Sequence, residues 1–453
     1  MRSPPVKTGY YVLEGANSFA TAYYFNYLMF LLRDAHRFTN LDTLSVGALH
    51  GLVYVGASWY AGRYGQRHGY FHSLRIGFAG LAAAVGVGWA VPALWGQMLG
   101  LAIWTVTLCF TWPMLEALVS EHEAPDRLPN RVGLYNVVWA GMAAIGFLTG
   151  GWVFEHLGHS SLYWLPLGIH ACQWLITWPL QRRHDRWLAA APPVASGPVP
   201  HDTAVRPSYF RRLAWVASPF NYMAINTIVV VAPGIAAQVG LTVVQAGLVL
   251  SAWFFVRAIA FLKLWLWTGW HYRFDWFFGA FALLLVSFVA IMLSSTVLGL
   301  VLAQIGFGWA SALLYYSSLY YAMDSTESHG EQGGFHEALI GMGLCGGPAV
   351  SAGALWLTGQ PSAPAWVVAG GLAAAMGWAG SIVRMRPWTI RVSVIMKQAR
   401  TWPSPGPGSH APGRSHSQSR RIGQETAWRP SASHGVAAAG SRPGRRRASH
   451  ERA

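Results

Sequence analysis

Long apolar runs, separated by short polar connections, recur along the chain as far as Val383. Each is about 18 to 27 residues long, the length of helix that crosses a hydrocarbon core roughly 30 Å thick. The first six are Gly9–Leu32, Leu44–Ala61, Leu74–Val91, Trp95–Val119, Val132–Phe154 and Leu162–Leu180. The second six are Leu213–Val239, Val243–Trp267, Trp276–Leu293, Val297–Met323, Phe335–Leu357 and Ala365–Val383. The pattern predicts an all-α integral membrane protein whose twelve transmembrane helices form two six-helix bundles. Its expected divisions are an N-terminal half over 1–181, a linker rich in Pro, Ala and Arg over 182–212, a C-terminal half over 213–385, and a tail over 386–453.

Alternate connections are basic. Arg63, Arg67 and Arg75 follow the second span, Arg127 and Arg131 the fourth, six arginines lie between the sets, and Arg273 follows the eighth. The opposite connections are nearly free of Lys and Arg, apart from Arg33 and Arg37. The positive-inside rule therefore predicts a protein of the cell (inner) membrane with both termini cytoplasmic, as an even number of spans requires. The first segment follows Arg2 and Lys7 as a signal peptide would, but it is too long and contains Glu14 and Asn17. It also lacks a small-residue cleavage site before Arg33, so it is expected to be an uncleaved first span.

Composition changes this picture little. The chain is 53% hydrophobic and 11% charged, against about 25% charged in soluble domains, which excludes a set of soluble domains of this size. The net charge of +15 is concentrated in the tail, where thirteen Lys and Arg stand against two acidic residues from Arg386 onward. That tail has too few aliphatic residues to bury a core. Its basic residues suit contact with anionic lipid, at about 1 kcal/mol each near the surface. No folded basic module accompanies it, so nucleic acid is not an expected partner. Cys109, Cys172 and Cys345 lie in apolar segments without paired spacing and are expected as small buried residues, with no metal and no cofactor.

A half-length repeat runs through the text. At a shift of 201 positions Gly133 meets Gly334, Gly146 meets Gly347 and Asn136 meets Glu337; at a shift of 200 Gly47 meets Gly247. Internal duplication of this kind is frequent in transporters. With the stretch "GRYGQRHG" after the second span, the chain resembles the major facilitator superfamily across about Gly9 to Val383. Arg63, Gly65 and Arg67 fit that family's gating-loop motif, with Gly62 where an acidic residue is usual. "GFLTGG", containing Gly146, Gly150 and Gly151, is similar to the family's fifth-helix glycine motif with Phe147 in place of proline. Gly347 and Pro348 form its counterpart in the second half. The resemblance implies pseudo-symmetric halves around a central cavity, with these small residues packing helices closely.

Arg257 is the sharpest chemical signal. It stands about nine residues, or roughly 13 Å, from the cytoplasmic end of its span. A permanent cation at that depth costs several kcal/mol unless protein or water receives it. It marks a site for an anionic or zwitterionic solute. Glu14, Glu116 and Glu337 are the carboxylates available to neutralise it or to carry protons, with Glu14 and Glu337 favoured; all three are expected within reach of water at the cytoplasmic third. In the family resembled, the spans bearing Asn17, Asn26, Asn136, Asn221, Asn226 and Gln304 line the cavity, so these side chains are candidates for binding solute or bridging helices. His336 and Glu337, together with Asp324, Glu327, His329 and Glu331, match no compact ligand spacing and read as a hydrated loop entering the eleventh span.

These features predict a secondary transporter, not an enzyme, that moves a small-molecule solute through the lipid bilayer by alternating access, as a monomer. No GxxxxGK[ST] occurs, so proton or sodium coupling is expected rather than ATP. The rival readings are a broad-specificity drug efflux pump, with a greasy aromatic cavity, and a membrane sensor or enzyme on the same scaffold. No ordered set of nucleophile, base and acid favours the enzyme.

Overall fold

The computed structural model describes residues 5–123, 127–190, 207–323 and 329–384; Asp324, Glu327, the middle of the linker and the tail lie outside the described residues. Every regular element among the described residues is helical. The helices are α1 (Pro5–Ala35), α2 (Asn40–His68), α3 (Tyr70–Ala90), α4 (Leu94–Leu108), α5 (Trp112–Ser120), α6 (Leu128–His156) and α7 (Ser161–Ala190). They continue as α8 (Pro207–Gln238), α9 (Val243–Leu250), α10 (Ala252–Leu266), α11 (Phe274–Met292), α12 (Val297–Met323), α13 (His329–Thr358) and α14 (Ala363–Arg384). Among the described residues nine helical stretches are long and apolar enough to cross a membrane, two of them being α4 with α5 and α9 with α10. The rods α1, α2 and α7 are equally long and more polar.

The fourth and eighth predicted spans are each broken once. Between α4 and α5, Phe110 and Thr111 donate to carbonyls three residues back, at 3.1 and 2.9 Å, and Pro113 supplies no donor at the start of α5. Between α9 and α10, Ser251 turns the chain and its hydroxyl donates to Leu248 O at 3.0 Å. Gln304 of α12 spans that break, accepting from Trp253 N at 3.4 Å and donating to Val249 O at 3.1 Å. The helices α2 and α9 both start with a capping box, Thr39 with Asp42 and Thr242 with Gln245, at corresponding places in the two sets.

The outer parts of the expected linker are helical. Helix α7 runs on through Gln181 to Ala190, a stretch of good helix formers, and α8 begins at Pro207, where proline suits a first turn. Arg63, Gly65 and Arg67, expected in a connection, belong to the last two turns of α2. The chain turns only at Gly69, whose φ of 93° lies where an L side chain is strained.

Two long seams organise the bundle. Helix α2 packs on α13, and α6 packs on α9 and α10. The first seam runs from Gly47 beside Pro348, through Gly51 against the backbone of Leu344 and Cys345, to Gly62 beside Gly334. The second runs from Gly151 beside Val243 O to Gly133 beside Trp265. Absent side chains let the backbones approach this closely, which is how helices associate where the surroundings are as apolar as their faces. Each seam is in contact at both of its ends. Of the cysteines, expected to be buried, only Cys109 is: Cys172 is exposed on the outer face of α7 and Cys345 is half-buried in the first seam.

Candidate functional site: an aromatic cavity around Arg257

Between the seams lies a cavity of about 130 Å³, walled mostly by rings and aliphatic side chains. Arg257 enters it from α10, in the i, i+4 row Trp253, Arg257, Phe261 that shares one helix face. The residue is 1% exposed. Its guanidinium lies over the rings of Trp139, Tyr315 and Phe261, with centroids at 4.5, 5.0 and 5.4 Å. Nη2 donates a long bond of 3.4 Å to Tyr222 Oη, and Nε has no partner. Among the described residues no ion pair involves Arg257. The neutralising carboxylate expected from the sequence is not in contact with it; ring faces are.

The three carboxylates, expected within reach of water, are all buried. Glu14 on α1 accepts from Ser18 Oγ at 2.7 Å, and its second oxygen has no partner. Glu337 on α13 lines the cavity and accepts from Tyr54 Oη on α2. Glu116, on the short helix α5, has no partner for either oxygen. His336 is likewise buried, not in a hydrated loop, and its Nδ1 lies 3.1 Å from Ser318 Oγ. Glu116, His336 and Glu337 bring one donor atom each within 4.8 Å of one another. Of the acidic residues expected in that loop, Glu331 is exposed in the first turn of α13.

The amide candidates divide. Asn26 and Asn226 line the cavity; Asn226 also donates to Leu344 O at 2.7 Å, while Asn26 donates to Ala22 O at 2.7 Å and keeps a free carbonyl. Asn17, Asn221 and Gln304 bridge helices, through Thr111 Oγ1 at 3.1 Å, Ser311 O at 3.3 Å and the α9/α10 break. Asn136 is buried with neither side-chain atom bonded. Gly146 and Gly150 face α1, at Phe19 and at Tyr23 and Tyr27, and Gly347 faces Met223 of α8. Only Gly151 and Pro348 reach the seams. Gly65 packs on Met114, whereas Arg63 is exposed with its guanidinium 3.9 Å from the Trp59 centroid, and Arg67 is exposed.

Residues that spacing alone did not single out complete the walls. His50 and Tyr54, one turn apart on α2, face the cavity, and His50 Nδ1 lies 2.8 Å from Thr105 Oγ1 with Phe25 and Trp104 beside its ring. The available signal was a polar aromatic pair at i, i+4 inside an apolar span. Ahead of the first span, Lys7 closes the end of α5: Nζ donates to Val119 O at 2.8 Å and Glu121 O at 3.0 Å and pairs with Glu123 at 2.7 Å. Arg131 Nε meets the same carboxylate at 2.8 Å. Burial, partly offset by Glu123, lowers the Lys7 ammonium pKa to about 8.

A buried cation in a cavity, inside a bundle of membrane-length helices joined by close-packed seams, defines a membrane transporter. The chain belongs to the Major Facilitator Superfamily, whose family model matches residues 14–348. Its fold is similar to that of the human organic anion transporter MFSD10 (TETRAN), at 15% identity and a TM-score of 0.64 over 83% of this chain and 100% of that one. It is also similar to the nucleoside transporter NupG, at 14% identity and a TM-score of 0.60 over 83% and 99% of the two chains. An auto-inhibited POT family peptide transporter matches at 11% identity and a TM-score of 0.67 over 85% and 98%. No curated protein matches the sequence significantly.

Proposed function

We propose that the chain is a secondary transporter that carries a small organic anion, or a zwitterion, with an apolar or aromatic body through the cell membrane by alternating access. The observation that carries this reading is Arg257: a buried cation facing the cavity, surrounded by ring faces and, among the described residues, without a carboxylate partner. Cation–π contacts supply about 0.5 to 2 kcal/mol each, but they leave the guanidinium's donors with one long hydrogen bond and Nε unbonded, so a solute carboxylate or phosphate completes the site. The aromatic walls favour a flat or hydrophobic body for that anion. MFSD10, an organic anion transporter, shares only the fold, and that solute class sets the first compounds to try. Residues 1–181 and 213–385 would rock as two halves about the cavity, driven by a proton or sodium gradient, with both termini cytoplasmic.

The test is uptake into proteoliposomes of a panel of aromatic and aliphatic carboxylates, with Arg257→Ala beside the wild type. Saturable uptake of one class that the variant loses supports the reading. Uptake of lipophilic cations that is indifferent to Arg257 would replace it with the efflux pump, whose greasy cavity the ring-lined walls also fit.

A further inference from the structure

Glu116 is the strongest group left outside the solute site. It lies one turn from the end of α5 and 2% exposed, and both its oxygens lack partners. Its neighbour Glu337, 3% exposed, belongs to α13 and so to the other set of helices. The two meet at the basic end of the first seam. There a Cβ on Gly333 would lie 3.2 Å from Glu116 Oε2, and one on Gly334 would lie 2.8 Å from Gly62 Cα. Among the described residues neither carboxylate takes part in an ion pair.

We propose that Glu116 and Glu337 form a proton-binding site that latches the α5–α13 contact: one proton shared between the carboxyls holds the basic end of the first seam closed, and its release opens that end. Two carboxylates within 4.8 Å in a water-poor interior repel strongly when both are charged, whereas a carboxyl and a carboxylate attract through the shared hydrogen. Facing them are Glu14 of α1, Tyr54 of α2, Tyr135 of α6, Tyr222 of α8, Tyr315 of α12 and His336 of α13. Cys109 belongs to this surround, and among the described residues the fixed cation nearby, Arg257, is engaged with rings. The released proton leaves by the basic end, which its departure opens. This names the coupling ion of the proposed transporter and rests on that reading for its purpose, though the latch operates without solute.

The experiment measures the distance between spin labels at His68→Cys, ending α2, and Glu331→Cys, in the first turn of α13, with Cys109, Cys172 and Cys345 replaced by Ala. The full chain is reconstituted in lipid nanodiscs without solute. A short distance at pH 5.5 should give way to a longer component that dominates at pH 9. Glu116→Gln and Glu337→Gln, each pairing an amide with a single carboxylate, should hold the short distance at both pH values. Identical wild-type distances at pH 5.5 and 9 would overturn the proposal, as would variants that keep the wild-type response. Closure at pH 9 on adding Mn²⁺ or Zn²⁺, lost in His336→Ala, would also overturn it in favour of a metal site. Because no solute is present, failure of the anion reading at Arg257 leaves this measurement unaffected.

Discussion

Arg257 and Lys7 are both buried cations, and their surroundings give them different work. Lys7 has a carboxylate and two carbonyls, a complete shell that ties the start of α1 to the end of α5. Arg257 has ring faces and one long hydrogen bond, an incomplete shell open to the cavity. Arg257→Ala should therefore weaken binding of the transported anion at least tenfold, about 1.4 kcal/mol, in a calorimetric titration, without loss of thermal stability. Arg257→Lys should restore only part of it, since a point charge replaces a planar fork that stacks on rings. Trp139→Leu, which removes the nearest ring, should weaken the same binding by roughly three- to tenfold.

Lys7 supplies a pH prediction of its own. Its folded pKa of about 8 lies below the ordinary 10.5, so between those values the unfolded chain holds more protons. Relative to Lys7→Met, the wild type should gain stability as pH rises from 8 to 10.5 and show no change in the difference below pH 7. The thermal midpoints followed by tryptophan fluorescence check this; a difference that falls across that interval would reverse the sign of the Lys7 contribution.

At the level of elements, the seams depend on a few positions where backbone meets backbone. A Cβ on Gly51 would overlap the Leu344 and Cys345 main chain, which cannot rotate away as a side chain can. Gly51→Val should thus separate α2 from α13 and lower the yield of monodisperse protein severalfold on gel filtration. Gly56, on the same helix, has no atom within 4 Å of its would-be Cβ. Gly56→Ala should leave the yield unchanged and raise stability by up to about 1 kcal/mol through helix propensity. The breaks before α5 and after α9 belong to this scale too. They escape a hydropathy reading because one tightened turn leaves the apolar run intact, yet they orient Glu116 and Arg257.

For the whole molecule, the alternation of basic connections predicts which way the bundle stands in the membrane. A fluorescent protein fused after Arg384 should be bright and alkaline phosphatase at the same place inactive, while phosphatase inserted after Arg37 should be active. The opposite pattern would invert the proposed orientation and with it the side to which a latch proton is released. In this structure each seam is in contact at both of its ends. In the proposed transport cycle each seam would part at one end in turn, and the small residues spread along them let the helices separate without unlocking large interdigitated side chains.

The membrane class, the helical fold and the family were legible in the text, because apolar run length, loop charge and repeat spacing are local or periodic properties that survive without coordinates. Arg257 was legible for the same reason: a charge inside an apolar run stands out wherever it points. The company it keeps was not. Whether Arg257 meets a carboxylate or rings, whether His336 lies in water or in the core, and which of the amides line a cavity rather than bridge helices all depend on helix rotation and crossing. One residue of rotation turns a side chain by about 100°, from lumen to lipid or neighbour. The meeting of Glu116 with Glu337, 221 positions apart in the chain, is likewise a product of packing alone. At that end Gly333, whose would-be Cβ lies 3.3 Å from Pro113, lets α13 approach α5.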